Sequence, residues 1–443
     1  MTLLSNDAAP LGRTYWMEGC PSAPEVPETL PGKADLLVVG AGYTGLSAAI
    51  AASDAGARVV VIDAGEPGEG ASNRNGGMFG AHPRLSFGAL EKSFGVETAR
   101  GVFGEATQAL EFARGLIRRE GIECDFQQTG RIQLAWSRAD FEAQKRLADD
   151  LAHTSDVKVR LIDSRDLGGE IVTSQYFGGL LFSDHAAIHP RKFHTGLLRA
   201  VLGRGVPVVG HCPAKQISRR GRGFEIATPK GQLRAERVVL ATNGYTTGAF
   251  AWHRRRVFPL PSFIAATAPL PASVTGKLAP GKRMMVETRA RHSYFRLSPD
   301  GTRILFGGRA AMKPVPLDVA ARRLHATMCE IWPRLGDTPF THVWMGNTGY
   351  SFTHTPHVGS VDGVHHAMGF SGSGTVMAPY LGMKAAYQAL GDERGATAYS
   401  ATCFRTSVLY PGGSPHFLKA ADLWYRTYVD FKQSRRARRD RGA

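Results

Sequence analysis

The sequence predicts an α/β fold built on a Rossmann-type βαβ unit, and three observations predict it. Residues 35–39, DLLVV, are a short apolar run of the kind a parallel strand buried on both faces requires. GAGYTG at 40–45 follows at once and opens an Ala-rich helical stretch, 46–55, which Gly56 ends. RVVVI at 58–62 is a second buried strand closed by Asp63 and Ala64. Within the glycine motif, Gly40 permits the tight turn and Gly42 lets backbone N–H groups come close to a pyrophosphate, while Gly45 allows close helix–strand packing. Tyr43 and Thr44 stand at the helix start, where the partial positive charge of the helix favours phosphate. Asp63 has the spacing of an acid that hydrogen-bonds an adenosine ribose; it favours a free 2′-OH over a 2′-phosphate.

The remaining elements follow in order. Residues 1–33 are Pro-rich and read as an extended arm over the surface. Residues 91–120 and 139–153 carry helical spacing with i,i+4 charge pairs. Strand patterns occupy 130–135 and 178–183, a helix 190–203, and further strands 207–210, 224–227 and 237–241. Between 255 and 310 short strands alternate with turns, including SPDG at 298–301. A helix over 317–333 stops at Trp332-Pro333, and a Gly-rich turn from Gly369 leads into a helix ending near Gly391. The Arg-dense tail, 432–441, reads as frayed.

Composition excludes several classes. The chain has 443 residues, enough for two or three domains, and its 43% hydrophobic and 21% charged content excludes a disordered chain. The formal net charge is +16, which attracts polyanions without choosing among them; a solvated basic surface explains it equally well. No apolar run reaches the ~18 residues of a membrane span, and the N-terminus lacks the pattern of a secretory signal. The five cysteines are scattered without a CxxC, against a disulfide framework or a structural zinc site, so a reducing, cytoplasmic setting is expected. The 15 histidines form no HExxH; His365-His366 reads as a surface turn rather than a ligand pair, and no metal is expected.

The segment after Asp63 selects the cofactor. GEGASNRNGG at 68–77 is a second glycine- and polar-rich loop beside the first. An NAD enzyme would proceed to another helix and strand. A long polar loop suits FAD, whose ribityl chain and flavin extend past the pyrophosphate.

At this point the sequence resembles the D-amino-acid-oxidase-like family of FAD-dependent oxidoreductases, and most nearly its gamma-glutamylputrescine-oxidase-like branch. The resemblance rests on Tyr15-Trp16, GAGYTGLSAA (40–49), GEGASNRNGG (68–77), His189-Pro190, VVLATNGY (238–245), IAATAPL (264–270), SYFRLSPDGTRILFGGR (293–309) and GFSGSGTVMAPYLG (369–382), in order along the chain. It implies a discontinuous FAD-binding domain (34–90, 189–250 and 346–395) interleaved with a mostly antiparallel-sheet substrate domain (91–188 and 251–345), after the arm 1–33 and before a C-terminal extension, 396–443. Carried over by position, Gly70, Ala71, Ser72, Arg74, Asn75, Gly76, Gly77 and Met78 approach the ribityl–flavin region. Ala214 contacts adenine through its backbone, and Ala241 and Thr242 lie near the dinucleotide. Gly372, Ser373, Gly374 and Thr375 meet the flavin edge or ribityl chain, where a helix start favours negative charge.

The chemistry implied is oxidation of a C–N bond in a small amine or amino acid: hydride passes to flavin N5, the imine hydrolyses, and oxygen or another acceptor reoxidises the cofactor. By the period of a strand, His292, Tyr294 and Arg296 share one face and could line the substrate pocket. Arg309 could supply charge to a substrate, and residues 344–350 form a second wall in which Trp344 reads as core. Two departures from the family pattern stand out. Thr348 occupies the place of a carboxylate-clamping Arg, so an α-amino acid held that way is disfavoured. Leu305 stands where sarcosine oxidase has a lysine that promotes oxygen reduction, which leaves room for a dehydrogenase. No Cys in 344–356 and no His in 68–78 is placed for a covalent flavin link, so FAD is expected to be non-covalent. Two alternatives remain: a tRNA-modifying amine oxidase, or a flavoprotein subunit whose amphipathic segment 417–428 contacts a partner or membrane face.

Overall fold

The computed structural model describes residues 3–5 and 7–442. Of the arm and the C-terminal extension, Met1, Thr2, Asn6 and Ala443 lie outside the described residues. Two eight-stranded sheets organise the chain. In the first, Lys33–Val39 runs parallel to Gly231–Leu240 on one side and Val59–Ile62 on the other, with Val208–Val209 beyond. Val364–Met368 joins Gly231–Leu240 in parallel, and a hairpin of Gln216–Arg220 and Gly223–Thr228 extends the sheet. All four residues of Val59–Ile62 are buried, as a strand covered on both faces demands.

The helix Tyr43–Asp54 packs against Gly374–Leu390 so closely that a Cβ on Gly382 would lie 2.2 Å from the Thr44 carbonyl oxygen. The Ser47 hydroxyl donates to the Pro379 carbonyl at 2.7 Å, tying the two helices together. Pro190–Gly203 and Val96–Arg119 complete the layer.

The second sheet has the order Phe340–Ser351, Val257–Thr267, Ile304–Gly308, Ser293–Leu297, Met284–Glu287, Arg131–Leu134, Gly178–Phe182, Val159–Asp163. Its pairings are antiparallel except that Met284–Glu287 and Arg131–Leu134 are parallel. Leu317–Ile331 buries Ala320, Leu324 and Met328 in the apolar cluster beneath it. In the long strand Phe340–Ser351, burial is broken only at Met345 to Thr348, where the wall faces a cavity.

Three expectations are corrected. The N-terminal arm does more than cross the surface: Ser5, Ala9 and Gly12 donate to the carbonyls of Phe340, Thr341 and Val343, which carries Trp16 into the interior with no exposure. The Arg-dense tail is a helix, Asp430–Gly442, whose Ala437 is buried and whose Asp440 accepts from the Arg138 amide at 3.1 Å. His365-His366 is part of the strand Val364–Met368, and His366 is fully buried between His253 and His357. Apolar neighbours on either side of the two histidines, Val364 and Ala367-Met368, were the signal for a strand. Among the described residues no helix is long and apolar enough to cross a membrane, no group of side chains is arranged to hold a metal ion, and all five cysteines are free.

Candidate cofactor and substrate site

A cavity of about 660 Å³ opens at the carboxyl ends of the parallel strands, where Rossmann-type sheets bind their ligands. Gly40 takes a φ of +109°, and a Cβ there would sit 3.0 Å from the Ala241 carbonyl oxygen. Gly42 is the N-cap of the helix Tyr43–Asp54 and offers no side chain to it. The first turn therefore presents amides to the cavity. Gly45 touches the turn from behind: its Cβ would fall 1.8 Å from the Gly40 carbonyl oxygen. This is a cradle that side chains would fill, and it fits a pyrophosphate.

Asp63 lines the cavity and braces it, its carboxylate accepting from the Ala41 amide at 2.6 Å and the Gly65 amide at 3.1 Å. Burial is the largest influence on this carboxyl and raises its pKa, against the backbone donors, which lower it. Opposite the Ala41 amide, the Ala41 carbonyl is bonded to His194 Nε2 at 2.7 Å. Burial holds His194 neutral, with its pKa pulled down to about 4, so that nitrogen carries the proton and donates. Ala64, Ala214, Ala241 and Thr242 also line the cavity.

The loop 68–77 is held in shape from three directions. Asn75 Nδ2 donates to the carbonyls of Ala71 and Ser72 at 3.1 and 2.8 Å, and its Oδ1 accepts from the Gly77 amide at 2.8 Å. Two buried indoles take the successive main-chain carbonyls of 74 and 75: Trp344 Nε1 donates to Arg74 at 3.0 Å and Trp16 Nε1 to Asn75 at 2.8 Å. Arg296 donates to the Gly77 carbonyl at 3.2 Å and the Ile188 carbonyl at 2.8 Å. Burial draws its pKa down to about 10.

The predicted site residues fall into two groups. Gly40, Gly42, Tyr43, Thr44, Asp63, Ala64, Gly70, Ala71, Ser72, Arg74, Asn75, Ala214, Ala241, Thr242, Thr348, Gly372, Gly374 and Thr375 line the main cavity. Gly45, Gly76, Gly77, Met78 and Ser373 stand behind or beside it. Gly76 meets the Tyr294 ring, Gly77 and Met78 lead into a short ladder with Ala187, and Ser373 borders a small neighbouring recess. His292, Tyr294, Arg296 and Arg309 are not part of the main lining. Tyr294 bonds the Ser262 hydroxyl at 2.8 Å, Arg296 is committed to main-chain carbonyls, and Arg309 donates to the Tyr350 hydroxyl. Tyr350 in turn lies 3.5 Å from where a Cβ on Gly372 would be, at the cavity wall.

Sequence reasoning did not find Arg84 and Arg131, which stand near His292 with Arg309. Nothing marks them among 54 lysines and arginines; only the fold brings the loop 80–86 and the strand Arg131–Leu134, in the same sheet as Ser293–Leu297, near His292. It also passed over Tyr245 and Asn243, whose side chains accept from the Asn347 and Gly369 amides at 3.0 and 2.9 Å and so fasten the cavity's far wall.

A parallel sheet with a glycine cradle, an acid lining the cavity after its second strand and a second polar loop defines a dinucleotide-binding oxidoreductase. Residues 35–388 match the family model DAO, FAD dependent oxidoreductase, and the chain belongs to that family. It is similar to a probable oxidoreductase OrdL of Rhizobium meliloti, 32% identical over 386 residues that cover 86% of this chain and 89% of the relative. It is also similar to gamma-glutamylputrescine oxidoreductase of Escherichia coli, 27% identical over 381 residues, 86% and 88% of the two chains. Among solved structures, glycine oxidase from Geobacillus kaustophilus shares the fold with a TM-score of 0.68 at 20% identity, over 85% of this chain and 99% of that one. L-amino acid deaminase from Proteus vulgaris does so with a TM-score of 0.69 at 16% identity, over 86% and 99%. FAD is thus the cofactor, and the cavity with its glycine cradle suits it.

Proposed function

We propose that this chain oxidises a C–N bond of a small amine or amino acid, as the name of its gamma-glutamylputrescine oxidoreductase relative suggests. Bound FAD supplies the two-electron acceptor, and oxygen or another acceptor then takes the electrons. The observation that carries the reading is the wall beyond the flavin end of the cavity. Tyr350 there is flanked by Arg309 and Arg84, whose guanidinium carbons lie 4.9 and 5.3 Å from its ring centre.

An amine must be unprotonated to give up hydride from its neighbouring carbon. A cationic wall lowers the pKa of a bound ammonium group and so favours the neutral amine. The nearby histidines are held neutral as well. Burial first, and then the charges of Arg309, Arg84 and Arg131, push the pKa of His292 well below its ordinary value, and burial lowers that of His354. Tyr350, at the cavity wall, orients the substrate, and water completes the reaction by hydrolysing the imine.

The cavity draws its lining from 34–90, 189–250 and 346–395 with Met345 adjoining, which supports reading those segments as one FAD-binding domain and 91–188 with 251–345 as the substrate domain. Five free cysteines support a reducing, cytoplasmic setting. The test is product analysis. Holoenzyme with an amine panel and a dye acceptor is expected to release an aldehyde or oxo acid in equal amount to dye reduced. Dye reduction without a carbonyl product would overturn the reading.

A further inference from the structure

Arginines around the second sheet are mostly matched to acids. Arg289 pairs with Glu287 and Glu330, Arg291 with Asp430, and Arg303 with Glu18. Arg84, Arg131 and Arg309 have no carboxylate within ion-pair distance among the described residues. Their polar contacts are the Ser371 carbonyl for Arg84, the His82 ring for Arg131 and the Tyr350 hydroxyl for Arg309. The Arg131 Nε is buried without any hydrogen-bond partner.

These groups are linked through shared neighbours, although Arg309 also borders a separate cavity beside Arg289, Arg291 and Asp430. Arg84 and Arg309 lie over the same Tyr350 ring, and His82, Arg84 and His354 border one small hollow with Phe370, which also walls the cofactor cavity. Arg131, His82 and His292 are surrounded by protein yet keep partial exposure. Burial alone pulls the pKa of Arg131 down to about 10, so a lone cation is held there against its own desolvation. The histidines cannot offset it, since neutral imidazole carries no negative charge. Arg131 without an internal acid is a poor structural device, because a buried charge without a partner destabilises the fold, and Arg84 and Arg309 add two further cations that no acid pairs. They are a good receptor for more than one carboxylate, each of which guanidinium can grip through two N–H groups.

We propose that Arg84, Arg131 and Arg309 form an anion-binding subsite for a substrate that carries two carboxylates beside its amine. This rests on the amine-oxidation reading for the amine, but the subsite can be tested without any oxidation. Glutarate has two carboxylates and no amine, so it cannot be oxidised here. Added to FAD-loaded enzyme, it is expected to perturb the flavin absorbance saturably, with butyrate and putrescine far weaker. Arg309→Gln and Arg131→Met are each expected to weaken glutarate about tenfold to a hundredfold, the loss of a charge-assisted contact. Arg84→Gln sits at an exposed position and keeps the fold whatever the buried variants do; it is expected to weaken glutarate about tenfold. Glutarate binding no tighter than putrescine, or unchanged in Arg84→Gln and in folded Arg309→Gln, overturns the subsite. Glutarate binding with no amine oxidised would instead refute the amine reading and leave the subsite standing.

Discussion

Gly45 gives the sharpest test of the cofactor cradle. A Cβ at this position would stand 1.8 Å from the Gly40 carbonyl oxygen and 3.1 Å from Val38 Cγ1. To reach ordinary contact at 3.4 Å, helix and turn must part by about 1.6 Å. That displacement is taken up where the amides meet the pyrophosphate, so Gly45→Ala loses both packing and ligand geometry. Overpacking alone costs about 1–3 kcal/mol. In an open helix the same substitution has the opposite sign, because alanine is favoured over glycine by about 0.5–1 kcal/mol. Gly104 and Gly115 in the helix Val96–Arg119 supply that comparison, since neither Cβ would meet anything within 4 Å. The assay is a thermal melt of apoprotein with and without added FAD, together with the FAD retained after gel filtration. Gly45→Ala should melt lower and retain little FAD, whereas Gly104→Ala and Gly115→Ala should melt slightly higher and retain all of it. Gly45→Ala with wild-type FAD retention would refute the reasoning.

Two further outcomes follow from the same geometry. Trp16→Phe and Trp344→Phe each leave a buried carbonyl of the loop unpaired, at a cost of about 1–3 kcal/mol, and should weaken FAD about tenfold while the apoprotein stays folded. Equilibrium dialysis of the two variants checks this, and unchanged FAD affinity in both would show that the indoles do not shape the loop. Stability should also fall on acidification. His194 has a folded pKa of about 4 against 6.5 unfolded, so between those values the unfolded chain binds a proton that the native chain refuses. The loss begins as pH drops below about 6.5, reaches about 2 kcal/mol from His194 at pH 5, and levels off below pH 4. His189, His253 and His357, also near 4, act in the same direction. Urea melts at pH 7 and pH 5 measure it, and coincident midpoints would contradict it.

The cofactor half of the molecule was legible because its signals are local. GAGYTG, the two apolar strands and Asp63 lie within 30 residues, and each glycine answers a contact that a Cβ would violate. The loop 68–77 was legible as polar and glycine-rich, but what fixes it was not. Trp16 and Trp344 reach it from 59 and 270 residues away in sequence, and such contacts leave no periodic trace. The substrate side was harder still. Alternation put His292, Tyr294 and Arg296 on one face, expected to line the substrate pocket, yet it could not show that Arg296 would be used up on the carbonyls of Gly77 and Ile188. Two long strands, Val257–Thr267 and the edge strand Phe340–Ser351, carry prolines and glycines that read as turns; their pairing and burial override that local preference. Arg84 and Arg131 became visible only when their missing acids could be counted in space. The +16 charge gains a local meaning there, since three of its cations gather around His292.

The most direct measurement is an anaerobic titration of FAD-loaded enzyme with a panel of amines and amino acids, dicarboxylic ones included, followed by the flavin absorbance band. The account predicts that at least one member bleaches the flavin stoichiometrically, with the acidic amines most effective. A flavin that dithionite bleaches but no amine or amino acid reduces would contradict it.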